Sequence, residues 1–240
     1  MNWQKLPRAP HPAVFLLMYL PFGIASGYFS VTLGYLLSHA GVSTAVIASV
    51  VATLTWLQVG KIVWAPIVDS VWTYRGFYAA ACLGLAVCVA ASGFVAASAA
   101  GVGALSVLAV LIGSAMGLIG VTTNGIMARR ASAAQRGRAG GWSMAGNLGG
   151  VGVGGGLGLW IATHSGVAWL SAVVLGGLCA CGVLALGFVD EPDHPHRAGS
   201  LGGTLRNLAG EVWALVRSRP GALALLIMVL PMGTGSAASL

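Results

Sequence analysis

Charge is nearly missing from this sequence. Only 7% of its 240 residues are charged, where soluble domains carry about 25%. That shortage excludes a water-exposed globular domain, because too little polar surface exists to cover the 57% that is hydrophobic. Acids are the scarcest group, five in all: Asp69, Asp190, Glu191, Asp193 and Glu211. No acid accompanies His39 or His164, so no nucleophile–base–acid set can be assembled and an enzyme is not expected. Cysteine is limited to Cys82, Cys88, Cys179 and Cys181, all inside apolar runs. They read as small buried hydrophobes, not as a disulfide framework or a metal site. The net charge of +7 comes from residues scattered over short segments. Without a basic stripe interleaved with aromatics, it does not describe a nucleic-acid surface. Gly150, Gly152 and Gly155 match G-x-G-x-x-G. No strand precedes them and no acid follows about 20 residues on, so a dinucleotide cofactor is excluded and none is expected.

What the chain has in abundance is apolar length. A bilayer core of roughly 30 Å takes about 20 apolar residues per helix. Six such runs appear, at 13–37, 43–67, 76–97, 101–126, 142–163 and 166–189, and a seventh opens at Gly221. The runs are too long and too uniformly apolar for barrel strands, so an all-α membrane bundle is expected. Lys5 and Arg8 precede the first run, but it exceeds the roughly 7–15 residues of a signal-peptide core.

Orientation follows the basic residues. Lys5, Arg8, Arg75, Arg129, Arg130, Arg136, Arg138, Arg197, Arg206, Arg217 and Arg219 fall in alternate connections, whereas Ser38–Val42, Ala97–Val102 and Thr163–Val167 hold none. The positive-inside rule puts the N-terminus and these connections in the cytoplasm, in a bacterial inner membrane. Trp64, Trp72 and Trp142 near that side, and Trp160 and Trp169 near the other, fit interfacial anchors. Residues 190–220 form the only long connection. It starts DEPDHPH, and Leu201, Leu205, Leu208, Val212 and Leu215 then recur at helical spacing, as expected for an amphipathic helix on the lipid surface.

The first run carries LPFGIAS at Leu20–Ser26 and the seventh LPMGTGS at Leu230–Ser236. Six runs separate them, so both copies cross in one direction. This predicts a parallel repeat of six-helix units: a bundle over 1–189, a linker over 190–220 and the start of a second bundle over 221–240. A truncated chain or partial gene is the expectation, with the rest of the second half as its missing partner.

Three stretches carry a family resemblance: KIVWAPIVD at Lys61–Asp69, LPFGIASG in the first run and GRAGGWSMAGNLGG at Gly137–Gly150. With them the chain resembles the major facilitator superfamily, most closely its muropeptide-permease and acetyl-coenzyme A transporter branch. The superfamily's loop pattern is G-x-x-x-D-[RK]-x-G-x-[RK]-[RK]; here Ala65 stands at the Gly position, Asp69 is kept, Ser70 replaces the next basic residue and Arg75 remains. The resemblance implies that Asp69 and Arg75 serve a cytoplasmic gate. It also implies an acid in the fourth span, where this chain has Asn124. An amide carries no proton, so coupling residues lie in the second half or transport is facilitated.

Several residues are candidates for chemistry. Lys61 is the one cation well inside a run, and such a charge costs roughly 2.5–3.5 kcal/mol at mid-bilayer. It either snorkels to the interface or, with Gln58 one turn away, attracts an anionic solute in a cavity. Tyr28, Thr32 and Tyr35 stand at i, i+4 and i+7 in the first run, where they line a water-filled path or bond between helices. Ser26 and Asn124 are further cavity candidates. Pro21 and Gly23 offer a bend. Gly146, Gly150, Gly154 and Gly158 recur every four residues and form a groove for close backbone approach. That groove serves packing inside the bundle or, as the resemblance implies for the fifth span, a sliding contact with the second half. Polar faces place the first, fourth and second spans at the cavity and leave the third and sixth to lipid. The reading is a transporter moving a polar or anionic small-molecule solute by alternating access, with membrane lipids as its surroundings. A non-transport membrane scaffold or partner-dependent half-subunit is the alternative.

Overall fold

The computed structural model describes residues 10–59, 65, 68, 72–95, 101–190 and 218. The chain divides into two compact units, Met1–Pro195 and His196–Leu240. The linker helix and the seventh run lie outside the described residues, as do Lys61, Asp69 and Pro231.

The described residues of the first unit form six helices and no strand. Helix α1 is Val14–His39, with a π-helical turn at Tyr28–Leu33. Helix α2 is Thr44–Val59, α3 is Tyr74–Phe94 and α4 is Val102–Arg130. Helix α5 covers 136–164 in three parts: Arg136–Gly152, a π turn at Val153–Leu157, and Gly158–His164. Helix α6 is Ala168–Cys181, continued by a 3-10 segment, Gly182–Phe188. Four of these, α1, α3, α4 and α6, are long and apolar enough to cross a membrane. Helix α5 is filled largely by glycine, which supplies little apolar surface.

The helix ends show why the chain breaks where it does. Gly41 has φ +77°; the Val42 N–H reaches the Leu37 carbonyl and the Gly41 N–H that of Ser38. This is a Schellman closure, and it needs the left-handed residue that glycine supplies. Gly166, at φ +67°, reverses the chain after α5. The Thr73 hydroxyl accepts from the Gly76 N–H at 3.0 Å and caps α3. The Arg136 guanidinium donates to the Ala128 carbonyl at 3.3 Å, placing a cation against the negative end of α4.

Helix α1 is central. It packs on α5, α4, α6 and α3, while α3 also packs on α4 and α6, and α2 on α4. The core runs through Phe15, Met18, Ile24, Tyr28, Phe29, Leu85, Ile112 and Ile119, all almost fully buried. Helices α3 and α6 expose Leu83, Val87, Phe94, Leu178, Leu184 and Phe188, a surface for hydrocarbon. Trp72 and Trp142 are exposed at the end that carries Arg75 and Arg129, called the basic end below, and Trp160 and Trp169 at the other.

Candidate functional site

The contact between α1 and α5 decides which α1 side chains remain available. A Cβ on Gly146 would strike the backbone of Leu16, one on Gly150 that of Leu20 and one on Gly154 that of Ile24. In the other direction, Gly23 and Gly27 lie on the backbones of Asn147 and Val151. The two helices therefore run parallel, backbone on backbone, which only residues without a side chain permit. Gly158 completes the row against Thr32 and Leu175. Of the two expectations for this stripe, packing inside the bundle is the one that matches: α1 lies on it. A different row on α5, Gly141, Gly149, Gly152 and Gly156, has nothing within 4 Å.

Of the two expectations for Tyr28, Thr32 and Tyr35, a water-filled path or bonds between helices, Tyr28 and Thr32 match the second; both stand in the π turn at Tyr28–Leu33. Tyr28 and Thr32 are fully buried. The Tyr28 hydroxyl meets that of Ser92 on α3 at 3.3 Å. The Thr32 hydroxyl donates to the Gly154 carbonyl at 2.9 Å, with the Gly155 carbonyl at 3.2 Å. Both side chains bond between helices. Tyr35 is exposed, and its hydroxyl lies 3.2 Å from His39 Nε2.

Pro21 is buried, with its ring against Gly182. A proline weakens the helix bonds of the preceding turn, and partners gather there. The Tyr78 hydroxyl donates to the Met18 carbonyl at 3.0 Å, with the Gly182 carbonyl at 3.4 Å. The Cys179 thiol reaches the Pro21 carbonyl at 3.6 Å. Pro21 and Gly23, expected as hinge or packing positions, are packed against α3, α5 and α6.

The polar groups left open on α1 and α4 come together elsewhere. The Tyr19 hydroxyl donates to Asn124 Oδ1 at 3.1 Å. Tyr19 packs on Phe22, with ring centroids 5.8 Å apart. One turn along α1, Ser26 is half-buried and Ser30 exposed, the Ser30 hydroxyl donating to the Ser26 carbonyl at 2.8 Å. Asn124 is exposed and stands six residues from Arg130, roughly 9 Å along the axis at the rise of an α-helix. Its amide N–H donors have no partner among the described residues. Ser26 and Asn124 were expected at a cavity; Tyr19 was missed. The 3- and 4-residue spacing of Tyr19, Phe22, Ser26 and Ser30 was the available signal, overshadowed by the tyrosines further on.

At the basic end, the Arg129 guanidinium lies 4.5 Å over the Tyr74 ring, a cation–π contact. Tyr74 itself covers Gly125 of α4. Arg75 is the second residue of α3, beside this clamp. Asp69, its expected gating partner, and Lys61 are outside the described residues, and Gln58 lies in the last turn of α2. Among the described residues, no three His, Cys, Asp or Glu side chains gather as a metal site would need.

A parallel glycine seam, helices long and apolar enough to cross a membrane, and a polar cluster between α1 and α4 describe a polytopic membrane protein among the described residues. The Major Facilitator Superfamily model matches residues 15–240, and the chain belongs to that superfamily of multi-pass membrane transporters. No curated protein matches it.

Proposed function

We propose that this chain supplies the first six-helix unit of an alternating-access solute transporter, and that the Tyr19–Asn124 pair with Phe22 and Ser26 lines its solute path. The observation that carries this reading is the exposed Asn124 amide inside an apolar helix of 29 residues. An amide with unmet donors is not tolerated against hydrocarbon, so the face it occupies opens on water or solute. Amide and phenol together offer N–H donors and oxygen acceptors to a solute bearing carbonyl, hydroxyl or carboxylate groups. Phe22 adds an apolar wall. Neither group titrates near neutral pH, so this pair carries no coupling proton.

In this reading the basic end is cytoplasmic, the N-terminus with it, in a bacterial inner membrane. The open row Gly141, Gly149, Gly152 and Gly156 of α5 is a face on which a further helix can pack closely, and lipid surrounds the rest. Lys61 and Gln58 add a cation and an amide for a polar or anionic solute. Asp69 and Arg75 gate the cytoplasmic side. The resemblance of KIVWAPIVD and LPFGIASG to the muropeptide-permease and acetyl-coenzyme A transporter branch supports that branch and makes those two compounds the first solutes to try.

The test is uptake into proteoliposomes of the full-length protein, with a labelled muropeptide and labelled acetyl-coenzyme A offered separately. Asn124→Leu should reduce uptake of the transported solute at least tenfold while the protein still folds. Asn124→Asp should make uptake pH-dependent, because a carboxylate then titrates in the path. Unchanged uptake in Asn124→Leu, or pH-independent uptake in Asn124→Asp, removes Asn124 from the path.

A further inference from the structure

Two π-helical turns occur among the described residues, Tyr28–Leu33 and Val153–Leu157, and they pack against each other. A π turn holds more residues than an α turn, bonds poorly within itself and persists where its surroundings compensate; such turns concentrate at functional positions. Here one side chain makes the compensating bond. The buried Thr32 hydroxyl, from the turn in α1, donates to the Gly154 carbonyl of the turn in α5 at 2.9 Å, with the Gly155 carbonyl at 3.2 Å.

The turns also mark a change in packing. On the basic side of them, Gly23, Gly27, Gly146 and Gly150 hold the two backbones in direct contact. Within and past them side chains take over: Gly155 faces the Val31 side chain, Gly158 lies on the side chains of Thr32 and Leu175, and Tyr35, Ser38 and His39 are exposed. A backbone-on-backbone seam thus gives way to side-chain contacts at the level where both helices leave α geometry.

We propose that Thr32 joins the two π turns into a single swivel. The ends of α1 and α5 that carry His39 and His164 bend together there, while the glycine seam stays in place. The bond crosses between helices, so opening one turn strips the other of its partner, and the two must open as one event. The proposal concerns the helix pair alone and is tested without any solute, so its failure leaves the transport reading untouched.

Hydrogen exchange by mass spectrometry, on the full-length chain in lipid nanodiscs, tests it. In the unmodified protein, peptides covering Tyr28–Leu33 and Val153–Leu157 should open at one common rate. Thr32→Val should speed exchange in both by about threefold to tenfold, the range that one net hydrogen bond spans, with the segment 146–151 unchanged. Thr32→Ser, which keeps the hydroxyl, should behave as the unmodified chain. Distinct rates for the two turns in the unmodified protein would overturn the swivel. So would acceleration of one turn alone, a uniform rise along both helices, or a Thr32→Ser variant that loosens both turns. If Thr32→Val does not fold, the comparison of rates in the unmodified chain and in Thr32→Ser decides the matter.

Discussion

Gly150 and Gly84 differ only in what stands above their Cα atoms. At Gly150 a Cβ would lie 2.6 Å from the Leu20 carbonyl oxygen and 2.8 Å from the Gly23 Cα. Both are backbone, so no rotamer change relieves the clash, and α1 must retreat along its length. Overpacking of this kind costs about 1–3 kcal/mol, so Gly150→Ala should lower the thermal midpoint in detergent. Gly84, with nothing within 4 Å, should accept Ala with no loss of stability, and the two midpoints measured side by side check the contrast. The four-residue period of Gly146, Gly150, Gly154 and Gly158 was legible in the sequence, but its partner was not. Periodicity names a face and says nothing about which helix lies opposite. Asn124 was legible for a physical reason: an amide in an apolar run must find water or protein. Tyr19 and Tyr78 were not, because an aromatic ring in such a run satisfies the hydrophobic pattern whether or not its hydroxyl is used.

At the scale of the helix, α1 carries both of its irregularities with support from its neighbours. Tyr78 from α3 serves the carbonyls around Pro21, and Thr32 serves the carbonyls of the facing turn in α5. Tyr78→Phe keeps the ring and removes the donor. The Met18 carbonyl then loses its cross-helix partner in a dry site, at a cost of about 1–3 kcal/mol, and the thermal midpoint should fall while the helical circular dichroism of the folded state is unchanged. A midpoint equal to that of the unmodified protein would show that the Met18 carbonyl needs no partner from α3. The sequence singled out Pro21 because proline acts locally. It could not foresee the π turns, since their stabilising bonds come from residues more than a hundred positions away. The same limit hid which of Tyr28, Thr32 and Tyr35 bonds between helices. Boundaries show the complementary error. The fifth run was expected from 142, and α5 begins at Arg136, because hydropathy follows the lipid-soluble part of a helix while hydrogen bonding continues into its charged first turn.

For the whole molecule, composition was the decisive clue. With 57% of the chain hydrophobic, only a bilayer offers enough apolar surroundings, and a bilayer leaves helices as the form these long runs can take. The superfamily followed from short stretches in loops and helix ends. The identity of the solute did not, since it depends on which few polar groups converge. The orientation rests on the distribution of Lys and Arg, and labelling checks it directly. In an otherwise cysteine-free background, Ser132→Cys, between α4 and α5, should react with an impermeant maleimide only from the cytoplasmic side. Ser165→Cys, between α5 and α6, should react only from outside. Reversed accessibility would turn the bundle over and with it the assignment of the gate.

The α1–α5 seam has one further consequence. Because no side chains intervene between the two backbones, there is nothing in it to exchange for something larger, smaller or more polar. Mutation cannot retune such a joint by degrees; it either leaves it whole or breaks it. Any retuning of the bundle must come from faces that carry side chains, such as those of α4 and the far side of α1.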